Sequence, residues 1–383
     1  MSLRSTAVAS LTLAALAASL ALSGCSKVGD TIKIGVAQPL SGPLAPLGKD
    51  MLNGVKLAVD EMNKAGVKVD GHTVKLEVVS VDDKANADEG KKAAQTLADA
   101  GVIAVVGDLN SGVSMAAAPI YAEHNIPQLA ISTKPEYTKL GFDTTFRLVA
   151  NDAMQAKAMG SYAAAQLAGT AYAVLDDGTP YGKGLSDAAA AEIKKQNKNV
   201  AVRKGFDDKT TDFSALIPEL KAAKVDIIVT TLADFQTLAM IEQLAKAGMT
   251  DMRILGGDTI KTDKLVKGAL PIRGVYATSP IIETREFNNG RDFLNRFRAA
   301  TGGEPVYGAH YAYDAVHVVM AAVKRIDSTD GKKLTAELKK IDALAPVTNA
   351  IRFKSDGEQY YGAVSVYKAQ PGAWEAVMRS DQW

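Results

Sequence analysis

The stretch Ile32–Gly66, IKIGVAQPLSGPLAPLGKDMLNGVKLAVDEMNKAG, constrains the fold more than any other part of the 383-residue chain. IKIGVA is a short, unbroken apolar run of the kind a strand needs when both its faces are buried. Ser41-Gly42-Pro43 breaks it, with Pro39 and Pro46 on either side. Met51, Leu52, Val55, Ala58, Val59 and Met62 then recur at helical spacing, and Gly66 ends the run. A strand that feeds a loop and then an amphipathic helix is the unit of open α/β sheets, whose ligands sit at the carboxyl ends of the strands.

The same order repeats downstream. The patterning predicts strands at Val74–Val81, Val102–Val106 and Pro127–Ile131, with helices at Ala85–Ala100 and Val113–His124 between them. It restarts near Val149–Asp152, with helices Ala153–Leu167, Leu185–Lys195, Phe213–Ala223 and Phe235–Ala247. Strands alternate with these at Ala171–Leu175, Val200–Phe206, Asp226–Thr231 and Arg253–Leu255. This alternation predicts an α/β fold with parallel sheets covered by helices on both faces. The length suits two such sheets. Pro280 ends a strand signal and marks a second boundary. Beyond it, helices are predicted at Phe287–Thr301, Tyr307–Ile326 and Leu334–Leu344, with extended segments at Ala350–Phe353 and Ala363–Tyr367.

The amino terminus carries one charge, Arg4, before an apolar run from about Leu11 to Leu22. That run is too short to span a bilayer comfortably, so it reads as a secretory signal. It ends Leu22-Ser23-Gly24-Cys25, which resembles the lipobox of bacterial lipoproteins. The resemblance implies a signal peptide over 1–24, a tether over 25–29 and a lipid on the Cys25 thiol. An ordinary signal peptide with a chance cysteine is the alternative. Cys25 is the only cysteine, so no disulfide can form within the chain. The 44 basic and 43 acidic residues nearly cancel, and loss of residues 1–24 removes one arginine and no acid. Nothing here attracts nucleic acid.

Signals of catalysis are absent. The four histidines are scattered, with no HExxH or Cys/His cluster, no GxSxG elbow and no GxxxxGK[ST] loop. No GxGxxG follows the first strand. The sequence therefore predicts no cofactor, no metal and no enzyme.

Polar residues at strand ends are more informative. Leu109-Asn110-Ser111-Gly112 follows one strand and precedes a helix that Ser111 is placed to cap. Ser132-Thr133 follows the next strand, and a simple hydroxyl turn is its plainer reading. Leu255-Gly256-Gly257-Asp258 ends another strand; Asp258 either projects from the strand edge or caps a helix over Lys261–Val266. Asp176-Asp177-Gly178-Thr179-Pro180-Tyr181-Gly182 follows strand Ala171–Leu175.

The opening stretch, the Tyr181-Gly182-x-Gly184 motif and these loops together resemble the branched-chain amino-acid-binding proteins that serve ABC importers. The likeness runs along most of the chain after the leader. It implies a type I periplasmic binding protein: two Rossmann-like lobes joined by three crossing strands. Lobe one would span 30–149 plus 280–350, and lobe two 150–279 plus 351–383. It implies that Ser111, Ser132 and Thr133, with main-chain N–H groups, hold an amino-acid carboxylate, and that Asp258 pairs with the ammonium group. Leu47, Leu109, Tyr181 and Tyr307 would shape the aliphatic pocket, and Asn110 would belong to the ligand-binding loop with Ser111. Asp234 is either near the ligand or a helix cap, and Tyr307 is either in the cleft or mere packing. Leu47, Asn110 and Ala233 depart from residues that several relatives carry, which bears on side-chain preference. The implied partners are a small-molecule amino acid, an inner-membrane ABC permease and, through Cys25, a membrane. The implied location is the periplasm or cell envelope. A sensor with the same lobes, ligands such as amides, urea or aromatic acids, and a secreted α/β enzyme are the alternatives.

Overall fold

A computed structural model describes residues 29–382. Cys25 and the leader lie outside the described residues. Six strands form the first sheet: β1 (Thr31–Gln38), β2 (Val67–Val69), β3 (His72–Asp82), β4 (Ala104–Gly107), β5 (Gln128–Ala130) and β6 (Thr145–Arg147). Their spatial order is β2-β3-β1-β4-β5-β6. All neighbours are parallel except β2 and β3. That hairpin turns at Asp70-Gly71, both with positive φ, the backbone that tight two-residue hairpin turns require.

Helices α1 (Ala45–Ala65), α2 (Ala87–Asp99) and α3 (Ser111–Glu123) connect the strands. Ile32, Ile34 and Val36 of β1 face α1, while Ala37 faces α2 and α3. Burial on both faces is why β1 reads as an unbroken apolar run.

The second sheet takes β7 (Ala171–Asp176), β8 (Asn199–Gly205), β9 (Ile227–Thr230), β10 (Arg253–Gly256) and β11 (Gly274–Ser279) in parallel. Helices α4 (Asp152–Ala165) and α5 (Pro180–Lys195) cover one face. Helices α6 (Leu216–Ala222) and α7 (Asp234–Lys246) cover the other. The chain then returns to the first lobe with α8 (Gly290–Thr301), α9 (Ala309–Ile326) and α10 (Gly331–Leu338). A hairpin of β12 (Asp342–Ala345) and β13 (Asn349–Arg352) follows. Finally β14 (Ser365–Gln370) and β15 (Ala373–Arg379) add antiparallel strands to the second sheet.

Several details differ from the sequence reading. The helix expected over Leu334–Leu344 ends at Leu338, and β12 takes its second half. Pro346 drives its predecessor toward extended backbone, and Leu344 is exposed, not a core residue. The chain also joins the second lobe later than residue 351. Ile351, Phe353 and Ala363 pack in the first core, and Val364 packs with Ala150 and Ala158 between the two. The chain crosses between lobes at 148–151, 279–282 and 362–364. These crossings are not themselves paired strands, apart from Ser279 at the end of β11.

Close approach of α1 to α9 anchors the first lobe. A Cβ on Gly54 would lie 2.0 Å from the Ala309 carbonyl oxygen. The buried Asp50 carboxylate accepts from the main-chain N–H groups of Val306, Tyr307 and Ala309 at 2.9, 3.0 and 2.9 Å. It thereby satisfies orphan donors at the start of α9 and fixes the backbone of Tyr307. Burial raises the Asp50 pKa, and these same bonds pull it back. Gly54→Val gains little in helix propensity and forces the two helices apart, so it should cost about 1–3 kcal/mol of stability. Chemical denaturation checks this.

Candidate functional site

In the first sheet the strand order reverses between β1 and β4, and in the second between β7 and β9. Crevices form at such switch points, outside the carboxyl ends of the strands. The loops singled out in the sequence leave those ends.

In the first lobe the loop after β4 is braced against the loop after β5. The Asp108 carbonyl accepts from the hydroxyls of Ser114 and Ser132, each at 3.3 Å, and these hydroxyls lie 2.5 Å apart. Ser132 is buried and lines neither of the two interlobe cavities, and its hydroxyl braces the loop. Ser111 and Thr133 do line a cavity of about 570 Å³ between the lobes. Ser111 is the first residue of α3, not its cap. Asn110 holds the cap position, makes no side-chain cap bond, and its Oδ1 is buried without a partner. The Ser111 hydroxyl instead accepts from the Lys134 N–H at 3.2 Å. Leu109 packs on the first core.

From the second lobe, the Thr179 hydroxyl caps α5 by accepting from the Gly182 N–H at 3.0 Å, and Pro180 occupies the first turn. This places Tyr181 on the same cavity. Its hydroxyl donates to Asp258 Oδ1 at 2.6 Å, and Gln155 Nε2 donates to that oxygen at 3.0 Å. No described residue donates to Oδ2. Asp258 opens a single 3-10 turn, Asp258–Ile260, and the helix considered over Lys261–Val266 does not form. Burial and the Asp258 charge raise the Tyr181 pKa far above its ordinary value, which keeps the phenol a donor.

Asp258 and Tyr307 line an adjoining cavity of about 650 Å³. The Tyr181–Asp258 bond ties one lined space to the other. Burial, and then the Asp258 charge, raise the Tyr307 pKa. Five expected residues lie outside both linings: Leu109, Asn110, Ser132, Leu47 and Asp234. Leu47 is half-buried in the first turn of α1. Asp234 opens α7 and accepts from the Thr262 hydroxyl at 3.0 Å, with Lys264 Nζ at 3.7 Å.

Asp152 escaped the sequence reading. It opens α4 after the Asn151 cap, and an acid in a first helical turn is too ordinary to stand out. Yet it lines the 570 Å³ cavity. Its N–H donates to the Thr133 carbonyl at 2.8 Å, and its Oδ1 is buried without a partner. Burial pushes its pKa up to about 6; a hydrogen bond with the Thr133 side chain pulls down and the Asp258 charge pushes up. The result is two carboxylates from the second lobe opposite hydroxyls from the first. Among the described residues, no three His, Cys, Asp or Glu side chains are grouped to hold a metal ion.

A raised folded-state pKa means Asp152 favours the fold below about pH 4, and that contribution is lost as pH rises through about 6. Asp152→Asn should therefore stabilise the unliganded protein relative to the parent at pH 7 to 8. Partial hydration limits the gain to about 1–2 kcal/mol. Thermal unfolding from pH 4 to 8 measures it; parallel curves for the two proteins would refute the assignment.

Comparison with known proteins agrees with this architecture. The family model described as "Periplasmic binding protein" matches residues 31–373. The Leu/Ile/Val-binding protein homolog 1 of Brucella suis is 30% identical over 362 residues, covering 94% of this chain and 95% of the relative. The crystal structure of the branched-chain amino acid transporter substrate binding protein LivJ from Streptococcus pneumoniae, in complex with isoleucine, superposes with a TM-score of 0.73. It is 27% identical and covers 91% of this chain and 99% of its own. A solute binding protein of an ABC transporter from Rhodopseudomonas palustris, in complex with 3,4-dihydroxy benzoic acid, shares the fold. Its TM-score is 0.74 at 21% identity, covering 92% of this chain and 97% of its own. These relatives are binding proteins, not enzymes. The chain belongs to the periplasmic binding protein family, with the two-lobed type I fold of the substrate-binding proteins of ABC transporters.

Proposed function

We propose that this protein captures a branched-chain or similar aliphatic amino acid outside the cytoplasm and delivers it to an ABC permease in the inner membrane. The observation that carries this reading is the polarity across the cleft. Asp258 is oriented by Tyr181 and Gln155 with one oxygen unoccupied, and Asp152 stands on the same lobe; Ser111 and Thr133 stand on the other. A zwitterion satisfies both sides. Its carboxylate takes hydroxyls and main-chain donors, and its ammonium group takes a charge-assisted hydrogen bond to a carboxylate. In this reading Tyr181 and Tyr307, which line the two adjoining cavities, bound an aliphatic side chain. Because the guest touches both lobes, closure is favoured only when it is bound. One methylene discriminates by only about 1–3 kcal/mol, so selectivity among aliphatic side chains should be loose.

An aromatic acid is the rival guest, as in the Rhodopseudomonas neighbour. It lacks an ammonium group and would leave Asp152 and Asp258 facing an anion, which the donor pattern disfavours. A thermal-shift screen over aliphatic amino acids, amides and aromatic acids separates these classes. Calorimetry should show Asp258→Ala weakening amino-acid binding by about 2–5 kcal/mol, and unchanged affinity would remove Asp258 from the site. Lipid on Cys25 is also part of the proposal, so Cys25→Ser should move the protein from the membrane fraction to the soluble one. A variant that still sediments with membranes would contradict the tether.

A further inference from the structure

Arg147, at the end of β6, is fully buried. Its Nε donates to Glu358 Oε1 at 2.9 Å, one terminal nitrogen to the Ser132 carbonyl, and the other to the Lys134 carbonyl at 2.8 Å. Glu358 Oε2 accepts from the Thr138 hydroxyl at 3.2 Å and from Asn151 Nδ2 at 3.0 Å. The Arg147 N–H donates to the Gly357 carbonyl at 2.9 Å. Both charges are therefore neutralised, and every oxygen of the carboxylate is occupied, as a buried ion pair requires.

These bonds bracket Thr133. The carbonyls on either side of it turn toward the guanidinium, and its own carbonyl accepts from Asp152. In a planar trans peptide the C=O and N–H point in opposite directions. The unit whose carbonyl belongs to Ser132 carries the Thr133 N–H, so that N–H points away from Arg147. It makes no main-chain hydrogen bond among the described residues. It thus stands as a free donor on the residue whose side chain lines the cavity. Lys134 precedes Pro135, so the second carbonyl bond fixes the loop without orienting another donor.

The same carboxylate reaches the crossing between lobes. Asn151 lies in the 148–151 crossing, and its Oδ1 accepts from the Met154 N–H at 3.0 Å, capping α4, which begins with Asp152. Glu358 lies 211 residues from Arg147, shortly before the last crossing.

We propose that Arg147 and Glu358 are positioning residues for the carboxylate grip: the pair aims the Thr133 N–H into the cleft and, through Asn151, holds that donor in register with the first interlobe crossing. The proposal rests on the reading of Thr133 as a carboxylate-holding residue. Glu358→Gln keeps the shape and leaves the guanidinium without its counter-charge. It should weaken L-leucine binding by about 10-fold or more. It should weaken L-leucinamide, which lacks the carboxylate, by less, so the preference for leucine over leucinamide falls. It should also shift the Thr133 amide resonance in the unliganded protein. Glu358→Asp should restore part of the preference. Thr138→Val removes one neutral bond to the same carboxylate and should give a smaller effect in the same direction, which keeps the test open if Glu358→Gln fails to fold. An unmoved Thr133 amide, or equal loss for leucine and leucinamide, overturns the proposal. Absence of leucine binding by the parent protein overturns the proposed ligand instead, and the amide resonance then decides the positioning role alone.

Discussion

A parallel strand that ends leaves main-chain groups unpaired, and the following loop must satisfy them or present them to a guest. The rest of this molecule depends on having two such edges, one per lobe, turned toward the same space. In the first lobe the loops after β4 and β5 are stapled by hydroxyls from Ser114 and Ser132 on one carbonyl, that of Asp108. In the second, a phenol and an amide converge on one oxygen of Asp258. Each lobe therefore uses its internal hydrogen bonds to orient a few polar groups and leaves specific ones without a partner among the described residues: Thr133 N–H on one side, Asp258 Oδ2 and Asp152 Oδ1 on the other.

Those unmet groups have opposite preferences, and they ride on separately packed cores. Bringing the lobes together without a guest buries two neighbouring acids without a counter-charge, and burial followed by the Asp258 charge is what raises the Asp152 pKa. A zwitterion between them converts that penalty into paired hydrogen bonds. Recognition and closure are in this sense one event.

Much of the architecture was legible in the sequence because hydrophobic periodicity reports burial directly. The unbroken IKIGVA run and the helical spacing from Met51 to Met62 are what β1 and α1 need to sit between layers. Tyr181 was legible through its turn chemistry, with Thr179 capping and Pro180 opening the helix. The site was less legible where function depends on direction or on distant partners. Ser132 and Thr133 are adjacent hydroxyls, yet one braces a loop and the other lines the cavity, and composition cannot separate them. Asp152 was masked by an ordinary helix start, and Glu358 by its separation from Arg147. The join at residue 351 was misplaced because an extended segment looks alike whichever core receives its side chains.

The most direct test is a crystal structure of the protein grown with L-leucine. Leucine is expected between the lobes, its carboxylate on Ser111 and Thr133 and its ammonium nitrogen within hydrogen-bonding distance of Asp258. Leucine bound in the reverse orientation, or bound elsewhere while this crevice stays open, would contradict this placement.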